Sequence, residues 1–290
     1  MSQRQSLSIL TFRLVTHYFV GSCCLFSAYV GYLTSSQNQE RNMKIGIIGT
    51  GNIGGTLARK LSEAGHKVKI ANSRGVDGVR DFAGEINAEP TDIRGAVTDV
   101  EAVILSIPLP ALSSLPDGLF DHLPPHVPVI DTSNYYPGLR DAPITALDNG
   151  QTESEWVQEQ IGHPVVKAFN NILADSLADL GQPQGSRGRL AVAVAGDHPE
   201  AVQTAMSLVN DTGFDPVFSG TIAESWRQQP CTPCYCCDWE APVMLRALAL
   251  ARKGEGQARL PQLYASFATL GDAPSHQDII ENNRAINWPV

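Results

Sequence analysis

Residues 43–54 read MKIGIIGTGNIG. Ile45, Ile47 and Ile48 make a short apolar run that ends at Gly49, and Gly49, Gly51 and Gly54 then give G-x-G-x-x-G. Behind them Ile53, Leu57 and Leu61 recur at i, i+4 and i+8, which predicts a helix that Gly65 is placed to stop. HKVKIAN, residues 66–72, follows as a second strand. Strand, glycine turn, helix and strand is the context in which this motif binds a dinucleotide. Gly49 permits the tight turn. Gly51, without a side chain, lets a pyrophosphate reach the backbone, and Gly54 lets helix and strand pack closely. The amides of the first helical turn, with Asn52 and Ile53, then face the phosphates. The blander alternative is a glycine-rich turn in some other α/β protein.

The end of the second strand selects the dinucleotide. An NAD site places Asp or Glu there for the ribose 2′-hydroxyl, but this strand runs out through Ala71-Asn72-Ser73-Arg74-Gly75. Ser73 can hydrogen-bond a 2′-phosphate, and the Arg74 guanidinium can pair with it and stack on adenine. The expected cofactor is therefore NADP(H). A solvated loop charge is the plainer account of Arg74.

The remaining strands are expected at Ala102–Ser106, Val127–Ile130, Val165–Phe169, Leu190–Ala195 and Asp215–Phe218, with helices at 79–88, 172–180, 199–210 and a last one at 241–251. The predicted fold is α/β, a doubly wound Rossmann-type parallel sheet with a smaller α/β carboxy-terminal lobe. Ligands of such sheets sit outside the carboxyl ends of the strands. That makes Ser106, Ile107 and Pro108 candidate cofactor walls and Asn134 a candidate contact near the nicotinamide, with ordinary turn chemistry as the alternative. Lys167, Asn170 and Asn171 could polarise a carbonyl or imine; strand-end Lys and Asn more often are solvated or cap.

The whole chain has 290 residues, 43% of them apolar, which excludes disorder for most of it. Its net charge of −9 argues against a nucleic-acid partner, whose phosphates need a basic surface. The six cysteines fall into Cys23-Cys24 and Cys231, Cys234, Cys236, Cys237. Such clustering is not a disulfide framework and suggests a reducing, cytoplasmic setting. Leu14–Leu33 lacks Asp, Glu, Lys and Arg and is long enough to span a bilayer. A dispensable leader, an anchor and a signal peptide all remain open, so a membrane partner is expected only if the leader is retained. The expected organisation is residues 1–42 as leader or extension, 43–163 as the NADP-binding domain, 164–270 as the acceptor lobe and 271–290 as a loose polar tail. The expected partner is a small-molecule hydride acceptor, and a homodimer is allowed.

Residues 43–75 resemble the amino-terminal domain of deazaflavin (coenzyme F420)-dependent NADP oxidoreductases, a domain type shared with pyrroline-5-carboxylate reductases and with the cytosolic part of six-transmembrane metalloreductases. VILSIPLPAL (103–112), VIDTSNYYP (129–137), VVKAFNNI (165–172) and the stretch 188–217 match the same group in order and spacing. The resemblance covers residues 43–250 or so. It implies hydride transfer between NADP(H) and a flavin-like acceptor stacked on the nicotinamide. It also implies cofactor contacts at Thr50, Ser73 and Arg74, a ribose wall at Ile107-Pro108, and no dedicated side-chain acid. An NADPH-dependent imine or carbonyl reductase and a non-enzymatic NADP(H)-sensing module are the alternatives.

One segment departs from the family. After Ser225-Trp226-Arg227-Gln228-Gln229-Pro230 the group continues with Gly-Thr-Pro and a Tyr-Cys pair, whereas this chain reads Cys231-Thr232-Pro233-Cys234-Tyr235-Cys236-Cys237-Asp238. Cysteine thus replaces glycine at 231, near the implied acceptor site. The four thiols allow a metal centre, a redox dithiol or a partly buried loop. Adjacent Cys236 and Cys237 would struggle to reach one ion, and C-x-x-C here lacks its redox context.

Overall fold

Strands β1 (Lys44–Ile48), β4 (Ala102–Leu105), β5 (Val129–Asp131) and β6 (Val165–Lys167) are almost continuously apolar and buried. That is the pattern of a parallel sheet covered on both faces. The computed structural model describes residues 42–288, so the apolar stretch Leu14–Leu33 lies outside the described residues. β2 (Lys67–Ala71) and the two-residue β3 (Glu89–Pro90) complete the first half. In the order β3-β2-β1-β4-β5-β6 every neighbour is parallel, the doubly wound arrangement expected from the sequence. Two further strands, β7 (Ala191–Ala195) and β8 (Asp215–Gly220), extend the same sheet to eight. β7 is parallel to β8 but antiparallel to β6, which it meets at one register pair, Lys167 with Ala195.

Side chains alternate across this sheet and build two cores. Ile45, Ile47, Ile104, Ile130 and Val166 pack against helix α1 (Asn52–Glu63) through Leu57, Ala58 and Leu61. Ile48, Val103, Leu105 and Val129 face the opposite way, toward Leu109, Leu112, Phe120 and Val157. The short helices α2 (Arg80–Glu85) and α3 (Thr145–Asp148) and the longer α4 (Glu153–Ile161) lie along the connections before β6. α5 (Ala174–Asp179) and α6 (Pro199–Asp211) flank the crossovers to β7 and β8, and α7 (Ala241–Leu250) covers β7 and β8 through Met244, Ala247 and Leu248. Burial of those faces is what makes such short elements persist, since isolated helices of this length are marginal in water.

Residues 42–288 behave as one compact unit, and the expected boundary at 163/164 falls just before β6, inside the sheet. The strand expected at Val165–Phe169 stops at Lys167, because Phe169 turns the chain with φ +60. The largest difference is at the carboxyl terminus. Helix α8 (Glu255–Phe267), which runs unbroken through Pro261, was not expected. The tail was expected to be loose. It instead forms α9 (His276–Asn287), begun by a Ser275–Asp278 capping box and carrying buried Ile280, Asn283 and Asn287. Among the described residues no helix is long and apolar enough to cross a membrane.

Candidate active site

Three strands meet at the glycine turn. Gly49 has φ +103, a conformation glycine adopts freely, and its N–H donates to the Ala71 carbonyl at 2.8 Å. A Cβ there would lie 2.1 Å from the Ser106 carbonyl oxygen, and one on Gly54 would lie 2.1 Å from the Gly49 oxygen. These two glycines fasten β1, β4 and α1 together. Gly51 differs: it is exposed, and an added Cβ would meet nothing within 4 Å. It N-caps α1 with no side-chain hydrogen bond to the first-turn amides. The positive end of the helix, with Asn52 and Ile53, therefore opens onto free space that a phosphate would fill. The residues present fit the dinucleotide that the motif implies.

Asn72, which sequence reasoning passed over, connects this turn to the next loop. Its Nδ2 donates to Thr50 Oγ1 (3.1 Å) and to the Gly78 carbonyl (3.3 Å), and its Oδ1 accepts from the Arg74 N–H (2.8 Å). An Asn that bonds its own backbone two residues on is an Asx turn, legible in Asn-Ser-Arg-Gly had it been sought. Ser73 and Arg74 are exposed, and the Arg74 guanidinium donates to the Gly78 carbonyl at 3.2 Å. The structure thus brings Thr50, Ser73 and Arg74 to one rim of the glycine turn. Ser106 and Ile107 line the other side: the Ser106 N–H donates to Ile48, and Ile107 Cγ2 is 3.0 Å from where a Gly49 Cβ would be. Pro108 is exposed and opens the following 3-10 turn.

Asn134 is not a free contact. It donates to the Asn170 carbonyl and accepts from Asn170 Nδ2, both at 3.0 Å. Asn170 in turn donates to the Gln228 carbonyl (2.7 Å) and accepts from Gln228 Nε2 (2.9 Å). Gln228 Nε2 also reaches the carbonyls of Lys167 (3.4 Å) and Ala193 (3.2 Å). This amide network ties the carboxyl ends of β5 and β6 to β7. Asn171 lies deeper and holds Cys234 and Ala193.

Beneath it sits a charge cluster. The Lys167 side chain is fully buried, so neither a solvated role nor direct substrate contact describes it. Its Nζ donates to Asp131 Oδ2 (2.9 Å) and the Ser133 carbonyl (2.6 Å), and lies 3.8 Å from Glu153 Oε2. Asp131 also accepts from the N–H and hydroxyl of Ser133 and from the Ser154 hydroxyl. Glu153 is the member sequence reasoning missed; as the first residue of α4 it looked like an ordinary first-turn acid. Burial pushes its carboxyl up to about 7, against the pull of Lys167. A folded-state value above the unfolded one means that the folded protein binds the proton more tightly. The contribution of Glu153 to stability is then greatest below about pH 4.5 and falls until about pH 7, by about 3 kcal/mol. Glu153→Gln should remove that loss: in urea unfolding it should gain on the wild type as pH rises from about 5 to about 8. Parallel curves for the two proteins across that range would refute the assignment.

The cysteine loop is more enclosed than expected. Cys231, Cys234, Cys236 and Cys237 are free thiols and all are buried. Cys231 has φ +61, the left-handed region in which glycine is unstrained, so the family's glycine at this point answers a backbone need. Cys236 and Asp238 share that conformation. The loop is held by Asn283 on the Cys236 carbonyl (2.8 Å), Asn287 on Tyr235 (2.8 Å) and Arg284 on Cys237 (2.9 Å). The Tyr136 and Tyr235 hydroxyls hydrogen-bond each other beside it. Burial pushes the thiols of Cys231, Cys234 and Cys237 up to about 12 and that of Cys236 up as well. Thiols kept protonated are poor nucleophiles and poor ligands. Among the described residues no group of three or more His, Cys, Asp or Glu is placed to hold a metal. In native protein at mildly alkaline pH, iodoacetamide should leave these four cysteines unlabelled and should label all of them after unfolding, as read by peptide mass mapping.

The sequence model of a family described as NADP oxidoreductase, coenzyme F420-dependent, matches residues 44–135. The Escherichia coli (strain K12) protein YjhV is 80% identical over 108 residues, which are 37% of this chain and 79% of YjhV. The crystal structure of protein SMa0349 from Sinorhizobium meliloti superposes with a TM-score of 0.57 and 28% identity, covering 70% of this chain and 97% of that one. A structure from Arthrobacter sp. FB24, named as a candidate F420-dependent NADP-reductase, gives a TM-score of 0.53 at 20% identity over 80% of this chain and 96% of its own, a likeness of fold.

Proposed function

The chain belongs to the family of coenzyme F420-dependent NADP oxidoreductases, and from that premise we propose that it transfers a hydride between NADP(H) and a flavin- or deazaflavin-like acceptor. The observation that carries the cofactor reading is the rim of the glycine turn. There Ser73 and Arg74 are exposed and Asn72 fixes their loop to Thr50, where a carboxylate would stand in an NAD site. The Arg74 side chain, already turned toward Gly78, would pair with the 2′-phosphate, and the α1 amides beside Gly51 would receive the pyrophosphate. Ser106 and Ile107 would wall the ribose. Bound NADPH supplies the hydride; this chain's residues hold and orient it, and positioning is most of what an electron-accepting partner requires. The family is one of enzymes, which sets the sensing-module alternative aside.

The test is NADPH oxidation followed anaerobically with a deazaflavin as acceptor, alongside affinities for NADPH and NADH. NADPH should bind more tightly. Arg74→Ala should weaken NADPH binding about tenfold or more while leaving NADH binding nearly unchanged, the loss of one charge-assisted phosphate contact. Equal affinities in the wild type would overturn the NADP(H) preference. Imine or carbonyl reduction remains the second reading, because Glu153, held near 7 at the carboxyl edge, has the proton affinity such a reduction needs. NADPH binding without deazaflavin turnover would move the assignment there.

A further inference from the structure

A cleft of about 280 Å³ opens between α4, the 3-10 segment that ends at Gln228, and the start of α8. Its walls include Leu147, Trp226 and Leu260. Its two ends differ in charge. Arg252 and Lys253 line the mouth, both exposed, next to Gly254, which N-caps α8 with φ +86 and no side-chain bond to the first-turn amides. Arg252 shares Glu255 with Arg259, at 3.9 and 2.7 Å, and Lys253 has no ion pair among the described residues. Glu153 lines the cleft from the other side. Its side chain is 6% exposed, and its Oε2 accepts no hydrogen bond among the described residues, with Lys167 Nζ at 3.8 Å. Two cations and a helix N-terminus call for an anionic group. A buried carboxylate oxygen without a hydrogen bond calls for an N–H donor.

We propose that this cleft binds a small zwitterion, with its carboxylate at Arg252, Lys253 and the first turn of α8 and its protonated nitrogen toward Glu153. The volume lies at the lower end of ligand sites and suits a short aliphatic or cyclic amino acid better than a nucleotide. The apolar walls match the carbon segment between the two charges. Each end then meets its opposite: the mouth offers exposed surface cations, and the floor offers an acceptor that is already desolvated. The site requires neither the dinucleotide nor a particular hydride acceptor.

The probes are β-alanine, 4-aminobutyrate and 6-aminohexanoate, a series of increasing span, with butyrate and butylamine as half-ligands. Each is titrated into the full chain without dinucleotide, reading the backbone amide resonances of Gly254 and Gly256 and the Trp226 indole. One chain length should shift all three resonances saturably, and more tightly than either half-ligand. Arg252→Glu with Lys253→Glu should weaken that binding about tenfold or more. Glu153→Gln should weaken the amino acid and leave butyrate unchanged. Absence of saturable shifts throughout the series overturns the proposal, as does binding indifferent to the mouth variant or to Glu153→Gln. Because no dinucleotide is present, such a failure leaves the cofactor reading untouched.

Discussion

Lys167→Ala should cost about 3–5 kcal/mol of stability, the largest loss expected from a single side chain here. The ammonium is fully buried and lies 2.9 Å from Asp131 and 3.8 Å from Glu153. Removing it leaves two carboxyl groups in an interior with no counter-charge. The Ser133 carbonyl also loses its 2.6 Å donor. Urea denaturation should show a much lower midpoint than for Arg80→Ala, whose ion pair with Asp77 is solvent-exposed and worth little. Adding Asp131→Asn to Lys167→Ala should recover part of the loss, because the uncompensated charge goes with it. Simple additivity of the two changes would show that the cluster is not a unit. Lost turnover in Lys167→Ala accordingly reports a collapsed carboxyl edge rather than a missing proton donor.

The second large effect comes from a pair of glycines that look equivalent in the motif. Gly54→Ala should both destabilise the protein, by about 3 kcal/mol, and abolish dinucleotide binding. Its Cβ would stand 2.1 Å from the Gly49 oxygen and 2.9 Å from Ser106 Cβ, so α1 would have to move off β1 and β4. Gly51→Ala should leave the unfolding midpoint within about 0.5 kcal/mol of wild type, since the new methyl meets nothing and φ is an ordinary −79. Its NADPH affinity should nevertheless fall by about tenfold or more, because the methyl takes the space through which the pyrophosphate reaches the backbone. Thermal unfolding together with NADPH titration separates the two. Unchanged NADPH affinity in Gly51→Ala would sink the proposed position of the pyrophosphate.

The glycine turn was legible because everything that defines it lies within thirty or so consecutive residues and repeats a local geometry. The Asp131–Lys167–Glu153 cluster was not. Its members come from the end of β5, the start of α4 and the end of β6, and each looks like a commonplace strand-end or first-turn charge until the sheet brings them together. The carboxyl-terminal helix escaped for a different reason. Hydropathy finds apolar faces, but the inward face of α9 carries Asn283 and Asn287, which donate to carbonyls of the cysteine loop. Pro261 likewise masked α8, since proline inside a helical pattern argues for a break. At Cys231 the backbone requirement was visible only against the family's glycine.

The junction of β6 and β7 bears on how the molecule comes apart. Six strands adjoin one another through parallel ladders up to β6, and β7 with β8 form a second block, joined to the first by one register pair. The Gln228 amide spans that joint, donating to backbone carbonyls on both sides. With Asn171, whose Oδ1 accepts from the Ala193 N–H, side-chain amides thereby supply bonding that a regular ladder would draw from the backbone. Unfolding cooperativity is only as strong as the coupling between blocks. The Gln228 amide acts beside a hydrophobic core common to both blocks, in which Val166 of β6 and Val192 of β7 belong to one buried cluster, and the two together set whether the last two strands are shed first.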